Sequence, residues 1–122
     1  MTGVKELCAE KNRIAEYISK LPYSSLIKNR LVQYLEKLQK VNSLSMVVLF
    51  GSYARMEQRA GSDLDILAIT ETEVPREVRG QLCSWFEENE ADLIFYTRKQ
   101  FEESDCRLVR EVRKDGILLW KK

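Results

Sequence analysis

Asp63 and Asp65 are separated by a single residue and stand against the apolar residues Leu64, Ile66, Leu67 and Ile69. On a β-strand, side chains two apart share a face, so the two carboxylates would project together while Leu64 and Ile66 face the other way. Such a pair repels, and one acid is driven toward protonation unless a cation lies between them. Magnesium removes that conflict. It prefers hard oxygen ligands, takes one or two carboxylates, and fills its other positions with water and substrate phosphates. Asp92 opens another apolar run, ADLIFYT (91–97). If that run lies beside the second strand, it brings a third carboxylate to the same edge. Three acids at the ends of adjacent strands could hold one or two metal ions for phosphoryl-type transfer. By itself a D-x-D at a strand start is more commonly a solvated or capping pair.

The stretch that precedes the aspartates changes this balance. Gly51-Ser52 follows the apolar run MVVLF (46–50) directly, and a glycine there lets a ligand approach the backbone closely. A helix starting at that point would aim free N–H groups and its positive dipole end at an anion. Ser52 adds a hydroxyl donor, and Arg55, one turn on, could reach a phosphate with its planar fork. The plainer alternative is a strand-to-helix turn in which Ser52 caps and Arg55 is solvated. A phosphate grip and a metal grip separated by one short helix make a nucleotide site coherent, which neither does alone.

The elements that must position these residues are legible from periodicity. Val4, Leu7, Cys8, Ile14, Ile18 and Leu21 are spaced for an amphipathic helix over residues 4–21, with Lys11 interrupting the stripe. The break at Leu21-Pro22-Tyr23-Ser24-Ser25 precedes a cleaner stripe, Ile27, Leu31, Tyr34, Leu35, Leu38 and Val41, for a second helix to about residue 41. MVVLF reads as a buried strand, residues 53–59 as a short helix, Ala60-Gly61-Ser62 as a turn and residues 63–70 as the second strand. Pro75 suits the first turn of a helix with Val78, Leu82, Trp85 and Phe86 on its apolar side. After the strand 91–97, Thr97 and Gln100 have capping-box spacing for a helix running through Phe101, Leu108 and Val112. Gly116 fits its stop and residues 117–120 a last short strand. Helices alternating with strands predict an α/β or α+β domain with a small β-sheet flanked by helices.

Composition narrows the chemistry. The chain has 122 residues, the size of a single domain, with 44% hydrophobic and 32% charged residues. Its formal net charge of +1 offers no basic field for bulk nucleic-acid binding. The C-terminal cations Arg107, Arg110, Arg113, Lys114, Lys121 and Lys122 are interleaved with acids, including Glu111, as on a solvated helix face. There is no histidine. This removes every Ser-His or Cys-His triad, every His-bearing zinc site and every His general base. Catalysis must rest on carboxylates, Lys, Arg, Tyr, Ser or a bound metal. Cys8, Cys83 and Cys106 lie far apart without metal spacing and read as reduced apolar residues. The start MTGVKELCAEKN has no apolar signal core and no stretch approaches a membrane span, so the expected location is cytoplasmic.

Taken together, LFGSYAR…GSDLDILA, with Asp92 in ADLIFYT and DGILLW near the end, resembles the DNA-polymerase-β-type nucleotidyltransferase superfamily. Ten residues separate Gly51-Ser52 from Asp63-Leu64-Asp65, and the resemblance covers about residues 26–120. Among subfamilies the chain is most similar to the minimal nucleotidyltransferase (MNT), the antitoxin of HEPN/MNT toxin–antitoxin pairs. Family members often carry glycine after the A-R, whereas Met56 follows Arg55 here. The helix over residues 1–21 looks like an extension beyond the catalytic core.

The resemblance implies a nucleotidyltransferase fold with a mixed sheet, and transfer of AMP from ATP to a hydroxyl with one or two magnesium ions. It implies Asp63, Asp65 and Asp92 as metal ligands and catalytic acids, with Gly51, Ser52 and Arg55 binding the nucleotide. The implied acceptor is a tyrosine of a HEPN toxin, since a chain this short has no separate substrate domain. That implies a hetero-oligomer, with a homo-oligomer left open, and neither a membrane nor a nucleic acid as partner. Two rivals stand beside it: a small-molecule nucleotidyltransferase of the aminoglycoside type, and a non-catalytic antitoxin acting by contact.

Overall fold

The computed structural model describes residues 18–122. The chain divides into two compact units between Lys40 and Val41. The helix expected over residues 4–21 lies outside the described residues as far as residue 17.

In the first unit, α1 spans Ser25–Leu38 and begins where Ser24 accepts a hydrogen bond from the Ile27 N–H at 3.3 Å. Its stripe of Leu31, Tyr34, Leu35 and Leu38 is buried, as its spacing predicts. The helix stops short of residue 41. Gln39 closes it by donating to the Leu35 carbonyl, and Val41, though buried, lies in the turn beyond.

The second unit is built on a four-stranded sheet. Its elements are β1 (Leu44–Phe50), α2 (Gly51–Ala54), β2 (Leu64–Thr70), α3 (Arg76–Glu88), β3 (Ala91–Thr97), α4 (Arg98–Glu103), α5 (Arg107–Asp115) and β4 (Ile117–Lys121). The strand order is β3-β2-β1-β4. β1 runs antiparallel to β2 and β4, while β2 and β3 are parallel, with α3 as the connection that a parallel pair requires. The sheet is therefore mixed and the architecture α+β, as expected.

Both sheet faces are apolar, as β1 and β2 predict. On one face, Val48, Phe50, Leu67 and Ile69 pack with Val112 of α5, extended by Ile94, Tyr96, Phe101 and Leu108. On the other, Val47, Leu49, Ile66, Ala68 and Leu93 are buried, and α3 packs against β3. There Cys83 donates its thiol to the Leu93 carbonyl at 3.5 Å, and burial pushes its pKa up. Leu82 and Phe86 of α3 are buried as expected, but Val78 is exposed and does not belong to its apolar side.

Two helices differ from the periodicity. The stretch 53–59 does not form a helix: α2 is a single turn, ended when Met56 enters the left-handed region at φ +58°. The helix expected to run from Thr97 through Val112 is two helices. Thr97 and Gln100 do form both capping-box hydrogen bonds, at 3.1 and 3.0 Å. Ser104 then turns to extended backbone and its hydroxyl accepts from the Cys106 N–H, so a local side-chain bond replaces the helical ladder. Gly116 stops α5 without a positive φ. Any side chain there would overlap the Val112 carbonyl and Val48, so close approach is what requires glycine.

Candidate active site

Asp65 and Asp92 are cross-strand neighbours. The parallel pairing of β2 with β3 sets Asp65 beside Asp92, and the antiparallel pairing of β1 with β2 sets Phe50 beside Asp65. Paired residues share a face, so both acids continue the row that further along becomes Leu67–Ile94 and Ile69–Tyr96. The carboxylates thus sit at the amino ends of two strands, at the rim of an apolar face. Asp63 precedes β2 rather than lying within it and is exposed, as is Asp92, while Asp65 is half-buried.

Position explains protonation. Burial, then the charges of Asp92 and Asp63, push the Asp65 carboxyl up to about 6. The Arg55 guanidinium opposes this, and Glu111 on α5 adds to it. α5 packs against α2 and β1, which brings the Glu111 charge within electrostatic reach of Asp65 from a distant part of the chain. Glu111 accepts a hydrogen bond from Arg107 Nε at 3.2 Å.

Gly51 has φ +74°, and a Cβ there would overlap the Asp65 carboxylate. The turn after β1 and the acid are therefore in contact through bare backbone, which only glycine allows. Ser52 follows within α2 and is half-buried. Arg55 is turned to its own neighbourhood, its Nε donating to Glu57 at 3.2 Å.

Magnesium is the ion that such a superfamily implies, and the donor set suits it. Asp65 is destabilised as a carboxylate by two acids of like charge, the conflict a divalent cation relieves. Among the described residues, no three His, Cys, Asp or Glu side chains converge into a ready metal cage. Asp65 and Asp92 are thus brought together, Gly51 abuts Asp65, and Asp63 and Arg55 lie within electrostatic range of Asp65.

A cleft of about 450 Å³ at the other ends of β2 and β3 is lined by Thr70, Glu73, Arg79, Phe95, Thr97 and Gln100, among others, and touches none of the three aspartates. Periodicity gave no sign of Glu111 as a neighbour of Asp65, because a helix-face acid carries no mark of what it faces. No helix among the described residues is long and apolar enough to cross a membrane.

No curated protein matches the chain. Among solved structures, it is similar to a toxin–antitoxin complex with AMP-PNP, at 22% identity over 77% of this chain and 73% of that one, TM-score 0.57. It is similar to the complex of a tri-AMPylated Shewanella oneidensis HEPN toxin with MNT antitoxin, at 18% identity over 78% and 72%, TM-score 0.56. A third, the toxin–antitoxin MntA-HepT, matches at 18% identity over 78% and 73%, TM-score 0.56. At these identities the likeness is one of fold. The nucleotidyltransferase domain model matches residues 28–119, from within α1 to within β4, and the chain belongs to the nucleotidyltransferase-domain family.

Proposed function

We propose that this chain is an MNT-type antitoxin that transfers AMP from ATP to a hydroxyl, a tyrosine of a HEPN partner protein being the acceptor. The observation that carries this is the in-register pair Asp65–Asp92 with the Gly51 backbone against the Asp65 carboxylate. Support for ATP and for the partner comes from the relatives of the same fold, one with AMP-PNP and one with an AMPylated HEPN toxin.

In this reading the Gly51-Ser52 turn binds the triphosphate with backbone N–H groups and the Ser52 hydroxyl. Arg55, released from Glu57, adds a charged donor. Asp63, Asp65 and Asp92 would hold magnesium, which would supply neutralisation of the phosphate charge. The acceptor oxygen attacks the α-phosphorus, the bond to the pyrophosphate oxygen breaks, and pyrophosphate leaves. The acceptor proton passes to a carboxylate, for which Asp92 is placed at the exposed edge. Residues 26–120 are the catalytic core in this account, and a reaction that uses ATP and a toxin partner belongs in the cytoplasm.

The test incubates the chain with labelled ATP, magnesium and its HEPN partner, then weighs both proteins. One or more AMP groups on the partner is the expected result. Label on an aminoglycoside and on no protein would move the activity to a small molecule. Neutralisation that survives Asp63→Asn with Asp65→Asn would make the antitoxin one that works by contact.

A further inference from the structure

The cleft of about 450 Å³ lies at the carboxyl ends of the parallel strands β2 and β3, beside α3 and α4. Its volume falls within the range of ligand pockets, about 300–1,000 Å³. Val74 and Phe95 give it an apolar lining. Its uncharged polar groups are already engaged within the chain. Thr70 Oγ1 donates to the Thr72 carbonyl at 2.7 Å, and the Thr97–Gln100 capping box uses both of its side-chain oxygens. The charged groups are not engaged. Glu73, Arg79 and Glu103 line this one cleft, yet among the described residues none of them forms an ion pair. Glu71 and Arg98, close by in the chain, do pair, at 3.0 Å.

This cleft is separate from the proposed chemistry. It touches none of the three aspartates, and Asp92 and Thr97 stand near opposite ends of β3, about 16 Å apart at the rise of a strand. Two carboxylates against one guanidinium give the lining a net negative charge, which repels a phosphate or an acidic chain and attracts a cationic one. Val74 and Phe95 suit the methylene stems of Lys or Arg, whose bodies are apolar and whose tips are charged. Arg79 is left to donate to a carboxylate or a backbone carbonyl of the same ligand. A protein segment offers cation, stem and carbonyl together, whereas a free amine lacks the acceptor. β3 is moreover an edge strand of the sheet, and it leads from this cleft back to Asp92.

We propose that this cleft docks a basic segment of the partner protein, Glu73 and Glu103 pairing with its Lys or Arg side chains. The proposal rests on the protein-acceptor reading and adds to it a contact remote from the reacting atoms. The test measures AMP transfer to the HEPN partner, affinity for that partner, and affinity for a non-hydrolysable ATP analogue with magnesium. It compares the unsubstituted chain with Glu73→Gln/Glu103→Gln and with Glu87→Gln/Glu88→Gln, which removes the same charge from exposed positions outside the cleft.

For Glu73→Gln/Glu103→Gln the expected result is a KM and a Kd for the partner raised about tenfold, with kcat, ATP-analogue affinity and melting temperature unchanged. Glu87→Gln/Glu88→Gln should stay within about twofold of the unsubstituted chain. Hydrogen exchange on the unsubstituted chain gives a readout that needs no variant, and the partner should slow exchange over residues 73–79 and 95–104. Equal partner affinity in the two double variants overturns the proposal, as does a partner that leaves exchange in both segments unchanged. Slowing of both segments by spermidine but not by the partner would give the cleft to free amines. Slowing that grows with chain concentration alone would give it to a second copy, and either result overturns the docking proposal. If the complex forms without AMP transfer, the transfer reading falls alone, and weakened affinity with slowed exchange still upholds docking. If no complex forms, both fall.

Discussion

Asp65 is the residue at which the proposed function and stability oppose each other. Its carboxyl is lifted from 3.8 to about 6 by burial and by its acidic neighbours. The folded chain therefore binds this proton more tightly than the unfolded chain does. The associated stability is complete below pH 3.8 and is lost as pH rises through about 6. In metal-free buffer, Asp65→Asn is expected to melt about 3 °C above the unsubstituted chain at pH 7.5, after discounting for its half-exposed carboxyl. The two should coincide near pH 3.5, and an unchanged gap between the two pH values would remove the electrostatic account. Met56 is the second residue of this kind, in the left-handed region where glycine is at ease. Relief of that strain is offset by the backbone entropy of glycine, so Met56→Gly should be neutral or stabilising by about 0.5 kcal/mol. Met56→Val should cost about 1 kcal/mol or more, since a β-branched residue fits that region worst. Urea unfolding midpoints measure both. The departure from the family pattern was legible at this position, whereas its positive φ came only with the structure.

At the scale of elements, α2 is a one-turn device whose two ends are set by backbone conformation. It opens at Gly51 with φ +74° and closes before Met56 with φ +58°. Gly51 and Gly61 separate two reasons for glycine. Both have positive φ, but a Cβ at Gly61 meets nothing within 4 Å, while one at Gly51 overlaps Asp65. Gly61→Ala should therefore cost about 1 kcal/mol of backbone strain, and Gly51→Ala at least twice that, about 2 kcal/mol. Gly51→Ala should also abolish nucleotide binding, which Gly61→Ala should leave in place. Equal losses in unfolding free energy would show that the contact with Asp65 is unimportant. Residues 91–97 and the Thr97–Gln100 box were legible because both are written in adjacent residues. The break at Ser104 was not, since Phe101, Leu108 and Val112 keep helical spacing across a gap and all join one apolar cluster.

For the whole molecule, protection should follow the sheet order. Val47, Leu49, Ile66, Leu67 and Ala68 in the two central strands have no exposed surface. Hydrogen exchange is expected to be slowest at β1 and β2 and faster at the edge strands β3 and β4. Edge-strand amides as protected as those of β2 would remove this ordering. Adding the ATP analogue with magnesium should slow exchange in the link 55–63 first.

What the sequence determined by itself is local: the apolar runs that become strands, the capping signals, the glycine after β1, and the lack of histidine. These depend on residues close together in the chain, whose dihedral preferences and period decide them. The register that sets Asp65 beside Asp92, the approach of Glu111 and the contact of Gly51 with Asp65 were decided only by tertiary structure. Each depends on burial and charge contributed by distant segments, and a carboxyl group's proton affinity is set by what surrounds it.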